Sequence, residues 1–204
     1  MAINPQTKLT PAEYLAFERA QSDARHEYLD GEISMMAGAS LEHNRIVGNT
    51  FASLHAHLRQ SMCSVFASDM RVKVPATGLY TYPDISALCG EPQLEDDEAD
   101  ILLNPSLIIE VLSPSTEAYD RGAKFDHYRS IESLQTYVLI AQDRAQIELF
   151  QRQDPGHWLL SVVKGLAVSI SLVTIGCELA LADVYERVLE PQRERGDGLT
   201  AQPQ

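Results

Sequence analysis

Nowhere in the 204 residues does an apolar run approach the ~20 residues that a membrane-spanning helix needs. Internal repeats are absent too, and the opening MAINPQTKLT lacks the basic-then-apolar layout of a signal peptide. Cysteine is scarce. Cys63, Cys89 and Cys177 are odd in number, widely spaced and form no CxxC pair, a pattern that argues against both a disulfide framework and a zinc site. Two of them lie in or beside apolar runs and read as small buried hydrophobes. The expected compartment is the cytoplasm. Positive charge is also in short supply: 16 basic residues stand against 29 acids, a net −13. A protein that held nucleic acid by bulk electrostatics would be basic, so any contact with a phosphate backbone has to be local. Six of the acids fall in residues 91–100, EPQLEDDEAD, which contain no base.

What is present is enough apolar residue, 45%, for one packed domain, and 204 residues do not comfortably make two. The expected domain runs over 1–189, with a polar, disordered tail over 190–204. Thr10-Pro11-Ala12-Glu13 opens a first helix with a capping threonine, proline at the first helical position and glutamate three residues after the cap. His26–Leu29, an Asp30-Gly31 turn and Glu32–Met36 read as a hairpin. Ser40 caps a second helix whose apolar positions, from Ile46 to Leu58, recur at helical spacing. Strands follow over Val65–Val74 and Tyr82–Cys89, with the acidic loop after them. Leu107–Leu112 (LIIEVL) is a buried-type strand, 117–131 a helix, and Tyr137–Ala141 another buried strand. Gln146–Phe150 and Trp158–Val163 make a hairpin turning at Asp154-Pro155-Gly156. A short helix near 182–189 closes the series. The order implies a mixed β-sheet flanked by helices, an α+β version of the α/β class, rather than a regular βαβ winding.

Two acids stand where strands normally exclude them. Glu110 interrupts LIIEVL, and Asp84 opens DISAL directly after Pro83. Desolvating an unpaired carboxylate costs several kcal/mol, so an acid kept there needs a cation, a metal or a hydrogen-bond network. Two carboxylates from neighbouring strands repel unless positive charge lies between them. Mg²⁺ (or Mn²⁺) suits that role, as a hard ion that takes one or two carboxylates, keeps its waters and accepts a phosphate oxygen. Lys124 is the candidate third member. Asp120, Lys124 and Tyr128 recur every four residues and share one helix face. Plainer readings stand beside these: Glu110 as an exposed strand-end acid, Asp84 as a turn-former, Asp120 and Lys124 as a surface ion pair.

At these residues the chain resembles the Uma-two family of restriction-endonuclease-like proteins. The segments that carry the resemblance are LTPAEYLAFE, RHEYLDGEI, MAGAS with HNRI, SDMRVKV, TYPDIS, LLNPSLIIEVLSPSTEAYDRGAKFDHYR and YVLIAQD, in that order over roughly 9–185. The family is similar to the PD-(D/E)XK nucleases. The resemblance implies a restriction-endonuclease-like core, with the "PD" at Pro83-Asp84 and the second acid at Glu110. The lysine position two residues after Glu110 holds Leu112 instead, and the resemblance moves the lysine to Lys124. It also implies that Glu32 is a further acid near the metal, with His43, Asp69 and Asp120 as outer partners. His43 has a capping or packing reading as well, and Asp69 and Asp120 have turn and salt-bridge readings. The activity implied is metal-dependent endonucleolytic hydrolysis of DNA. The alternative is a catalytically inactive nuclease fold used for binding or regulation, which the acidic charge favours. A homodimer would serve the chemistry, because cutting both strands of a duplex takes two active sites.

Overall fold

The computed structural model describes residues 8–36, 38–154 and 156–189. The expected tail over 190–204 and Pro155 of the expected turn lie outside these residues.

The first third follows the sequence pattern closely. Helix α1 (Pro11–Arg19) is closed by a capping box: the Thr10 hydroxyl accepts from the Glu13 N–H, and the Glu13 carboxylate accepts from the Thr10 N–H. Strands β1 (His26–Leu29) and β2 (Glu32–Met35) are joined by a two-residue turn with Asp30 at φ 51° and Gly31 at φ 86°. Gly31 is doubly required, since a Cβ there would also stand 2.6 Å from the Lys8 Cβ. Helix α2 (Leu41–Leu58) begins where the Ser40 hydroxyl accepts from the His43 N–H, and it buries Ile46, Leu54 and Leu58.

The two strands expected next are both redrawn. Val65–Val74 breaks into β3 (Cys63–Ala67) and β4 (Arg71–Val74), whereas Tyr82–Cys89 shortens to β6 (Ile85–Cys89), preceded by β5 (Leu79–Thr81), a strand the pattern did not mark. β3 and β6 lie in one sheet, β4 and β5 in the other. Proline explains the late start of β6: Pro83 offers no N–H to a ladder and holds Tyr82 extended. After β7 (Ile101–Leu102) and β8 (Leu107–Leu112), the helix expected over 117–131 divides into α3 (Glu117–Arg121) and α4 (Ala123–Tyr128). Gly122 sits at the break, where a Cβ would come within 3.1 Å of the Ala118 carbonyl. Then come β9 (Thr136–Ala141), β10 (Gln146–Asp154), β11 (His157–Lys164), β12 (Ser169–Leu172), a 3-10 turn over Val173–Ile175, β13 (Cys177–Ala180) and α5 (Leu181–Val184). The β12–β13 hairpin carried no clear period in the sequence, and α5 is shorter than expected.

The strands form a five-stranded sheet, β2-β1-β5-β4-β7, a six-stranded sheet, β11-β10-β9-β8-β6-β3, and the β12–β13 ribbon. Both large sheets are mixed, with β4–β7 and β8–β9 the parallel pairs. The six-stranded sheet is covered twice. Its Leu107, Ile109, Val138 and Ile140 pack toward α2, the ribbon and α5. Its Ile108, Leu112, Tyr137 and Leu139 pack toward α4 and toward Val72 and Leu79 of the other sheet. Residues alternate faces along a strand, so Glu110 points to this second side, into the space between the two sheets.

One expectation about cysteine is corrected. Cys63 and Cys89 lie directly opposite each other in the β3–β6 ladder and are joined by a disulfide, while Cys177 is free and buried. Register, invisible in a spacing of 26 residues, brings them together.

Candidate active site

The return of the chain from one sheet to the other delivers Asp84. The Tyr82 phenol accepts from the Arg71 guanidinium at 2.9 and 2.6 Å and donates to Glu18 at 2.9 Å, all three residues being buried. With Tyr82 anchored and Pro83 rigid, Asp84 enters β6 beside β8. There the two acids interlock. The Val111 N–H donates to the Asp84 carboxylate at 2.7 Å, and the Asp84 N–H donates to the Glu110 carboxylate at 3.4 Å. The reading of Glu110 as a solvent-facing strand end fails, because the residue is only 4% exposed.

Lys124 reaches the pair from α4. Its ammonium lies 2.9 Å from Glu110, 3.4 Å from Glu27 and 3.6 Å from Asp120. Both Asp120 and Lys124 are buried, so the surface-pair reading fails as well. The break at Gly122 leaves the four-residue spacing intact: Asp120, Lys124 and Tyr128 all face the acids. Tyr128, fully buried, donates its hydroxyl to Glu110 at 2.8 Å. His43, on the first turn of α2, places its Nε2 3.3 Å from Asp84, while its Nδ1 is buried without a hydrogen-bond partner.

Two assignments need correcting. Glu32 is exposed at the turn end of the first hairpin, paired across from Leu29 on the outermost strand of its sheet. The acid that β1 and β2 bring to the cluster is Glu27, which accepts from the buried Thr81 hydroxyl and faces Lys124. Asp69 sits in the exposed turn between β3 and β4 and pairs with Arg25, outside the cluster. Sequence reading missed Glu27, Tyr128 as a carboxylate donor, and Thr81. Alternation in β1 could have flagged the first, since Glu27 and Leu29 share a face; nothing marked Thr81.

Electrostatics in the cluster follow from its composition. Glu27, Glu110 and Asp120 surround a single lysine, and Asp84 lies against Glu110. Burial, opposed by Lys124 and reinforced by Asp84 and Asp120, pushes the Glu110 carboxyl up to about 8. Burial also raises Asp120. Burial works against the charge on Lys124, but Glu110, Glu27 and Asp120 outweigh it and hold the ammonium protonated well above its usual range. For His43, burial opposes the charged ring, and the hydrogen bond and charge of Asp84 prevail, raising it. Acid is in excess and one site keeps a proton, so the cluster is short of positive charge.

That shortage is the test of whether a cation fits. Among the described residues no three His, Cys, Asp or Glu side chains stand together as a ready-made cage. A hard divalent ion does not need one, because two carboxylates with water and substrate oxygens suffice for Mg²⁺. Asp84 and Glu110 meet that requirement, and the donor set contains no thiolate that would favour zinc.

Residues 11–182 match the Uma2 family, whose description is "Putative restriction endonuclease". The chain belongs to that family. Two uncharacterised Synechocystis proteins are similar to this Uma2 chain: one is 36% identical over 181 residues, covering 89% of this chain and 93% of its own, and the other 39% identical over 166 residues, covering 81% and 93%. Among solved structures, a "putative nuclease belonging to DUF820" from Anabaena variabilis superposes with a TM-score of 0.72 at 19% identity, over 89% of this chain and 99% of that one. At that identity the likeness is one of fold, and it agrees with mixed sheets flanked by helices. No helix among the described residues is long and apolar enough to cross a membrane.

Proposed function

We propose that this Uma2 protein is a divalent-cation-dependent endonuclease that hydrolyses DNA phosphodiester bonds. The observation that carries the reading is the interlocked Asp84–Glu110 pair with Lys124 against it, held on rigid elements between two sheets. Asp84 and Glu110 would hold Mg²⁺ or Mn²⁺. When bound, such an ion supplies an acidified water and a Lewis acid for the phosphate. Tyr128 and the Val111 N–H fix the carboxylates that would bind it. Lys124 offers donors where charge develops on the phosphorane oxygens, or orients the attacking water; Glu27 and Asp120 keep it protonated and aimed. Asp84 also holds His43 beside the pair. A homodimer would bring two such sites to one duplex.

The test is a nuclease assay over divalent ions and DNA forms. Lys124→Ala is expected to lower cleavage by about 10²–10³-fold, the scale of losing one preorganised electrostatic donor. Calorimetry is expected to show Mg²⁺ or Mn²⁺ binding to the wild type and none to Asp84→Ala. Wild-type rates from the lysine variant would remove Lys124 from the mechanism.

A second reading, a nuclease fold kept for binding or regulation, is favoured by the net charge of −13. It gains if the wild type binds neither ion.

A further inference from the structure

We propose that β11 is a homodimer edge, along which a second copy of this chain pairs antiparallel to join two six-stranded sheets into one. β11 ends its sheet and hydrogen-bonds only to β10 among the described residues, leaving the outer edge of an eight-residue strand unpaired. Such edges are ordinarily protected by a proline, a mid-strand charge or a bulge. Between Trp158 and Val163 there is none of these; the irregularity in the β10–β11 ladder lies at Arg152/Asp154, by the turn. Leu159, Leu160 and Val162 on this strand are each about half exposed, on both of its faces. Six of the nine large hydrophobics exposed among the described residues fall between 159 and 173, so the apolar surface is concentrated here rather than scattered.

Charge selects a second copy as the occupant. The chain carries 29 acids, yet residues 156–177 contain none. Two molecules of net charge −13 repel over most of their surfaces, and this stretch is where they can meet without opposing carboxylates. A two-fold axis normal to the sheet, close to Leu160–Val162, gives each edge the same unpaired backbone and the same apolar flanks. The axis puts the α4 faces of both sheets on one side, and with them both Asp84–Glu110 pairs. From β8 to its counterpart there are then seven strand-to-strand steps, roughly 34 Å at about 4.8 Å each. That is close to one turn of duplex DNA. The spacing connects this edge to the nuclease reading, but the pairing stands without it.

Sedimentation equilibrium of the full chain tests the edge. The wild type is expected at twice 22.6 kDa, and Leu160→Lys and Val162→Lys are each expected to halve that mass with unchanged circular dichroism. A single-chain mass for the wild type at every concentration, or a dimer that survives both lysines, overturns the proposal. Hydrogen exchange on the wild type covers the case in which the variants misfold. The amides of 158–163 are expected to slow as concentration raises the mass. If they are equally protected in the single chain, a segment of the same chain covers the edge and the proposal fails. None of these readings depends on whether the protein cleaves DNA.

Discussion

Glu110→Gln isolates the consequence of burying an acid among acids. The glutamine is nearly isosteric, and its carbonyl can still accept from Tyr128 and Lys124, so packing and those two bonds persist while the titration disappears; the long bond from the Asp84 N–H to the other oxygen is lost at every pH and shifts the curve without bending it. In the wild type without divalent ions, burial and the neighbouring Asp84 and Asp120 lift Glu110 from its ordinary 4.5 to about 8, despite Lys124. Between those values the folded protein holds a proton that the unfolded chain has released. Stability from this group is therefore fully present below about 4.5 and is lost as pH rises through about 8. The steepest loss for one proton is about 1.4 kcal/mol per pH unit, and across the window it amounts to a few kcal/mol at order of magnitude. Urea unfolding of the wild type and Glu110→Gln, at matched pH in chelator, gives the difference. That subtraction removes groups such as Asp100, whose carboxyl is held low by Arg19 and whose contribution runs the opposite way. The wild type is expected to fall relative to the variant as pH rises. Mg²⁺ at about 100 times its Kd should restore about 2.7 kcal/mol to the wild type at pH 8, and little to the variant. Parallel pH curves for the two proteins would refute the argument that an acid excess holds a proton on Glu110.

Tyr128→Phe removes one of the two donors to the same Glu110 oxygen and leaves Lys124; a stability loss of about 1 kcal/mol is expected, with weaker Mg²⁺ binding by calorimetry. An unchanged Mg²⁺ affinity would make Tyr128 a packing residue only. Glu27→Gln is expected to lower cleavage by loosening Lys124, whereas Glu32→Ala at an exposed turn should stay within about 0.5 kcal/mol of wild-type stability and keep full activity. Loss of activity in Glu32→Ala would reinstate the acid that the sequence pointed to.

Local chemistry along the chain was enough for many elements. The capping box at Thr10–Glu13, the Asp30-Gly31 turn and the Ser40 cap depend on neighbours within a few residues, and they form where the sequence places them. Acids inside apolar strands were legible for the same reason. Glu110 among aliphatics and Asp84 after proline stand out because desolvating charge is costly wherever the strand lies. The i,i+4 repeat likewise put Lys124 and Tyr128 on one face, and it survived the break at Gly122.

Long-range register was decided only in three dimensions. Whether Val65–Val74 is one strand or two depends on which sheet each half joins, and both halves satisfy the same alternation. Glu27 and Glu32 lie on one face of one hairpin, and only the docking of α4 over β1 chooses Glu27 as the partner of Lys124. Cys63 and Cys89 meet through the β3–β6 ladder, a pairing set by the packing of whole sheets. Sequence determined which residues could not remain alone in a core; tertiary structure determined their company, because contacts between distant segments are fixed by the sheet and helix packing that buries them together.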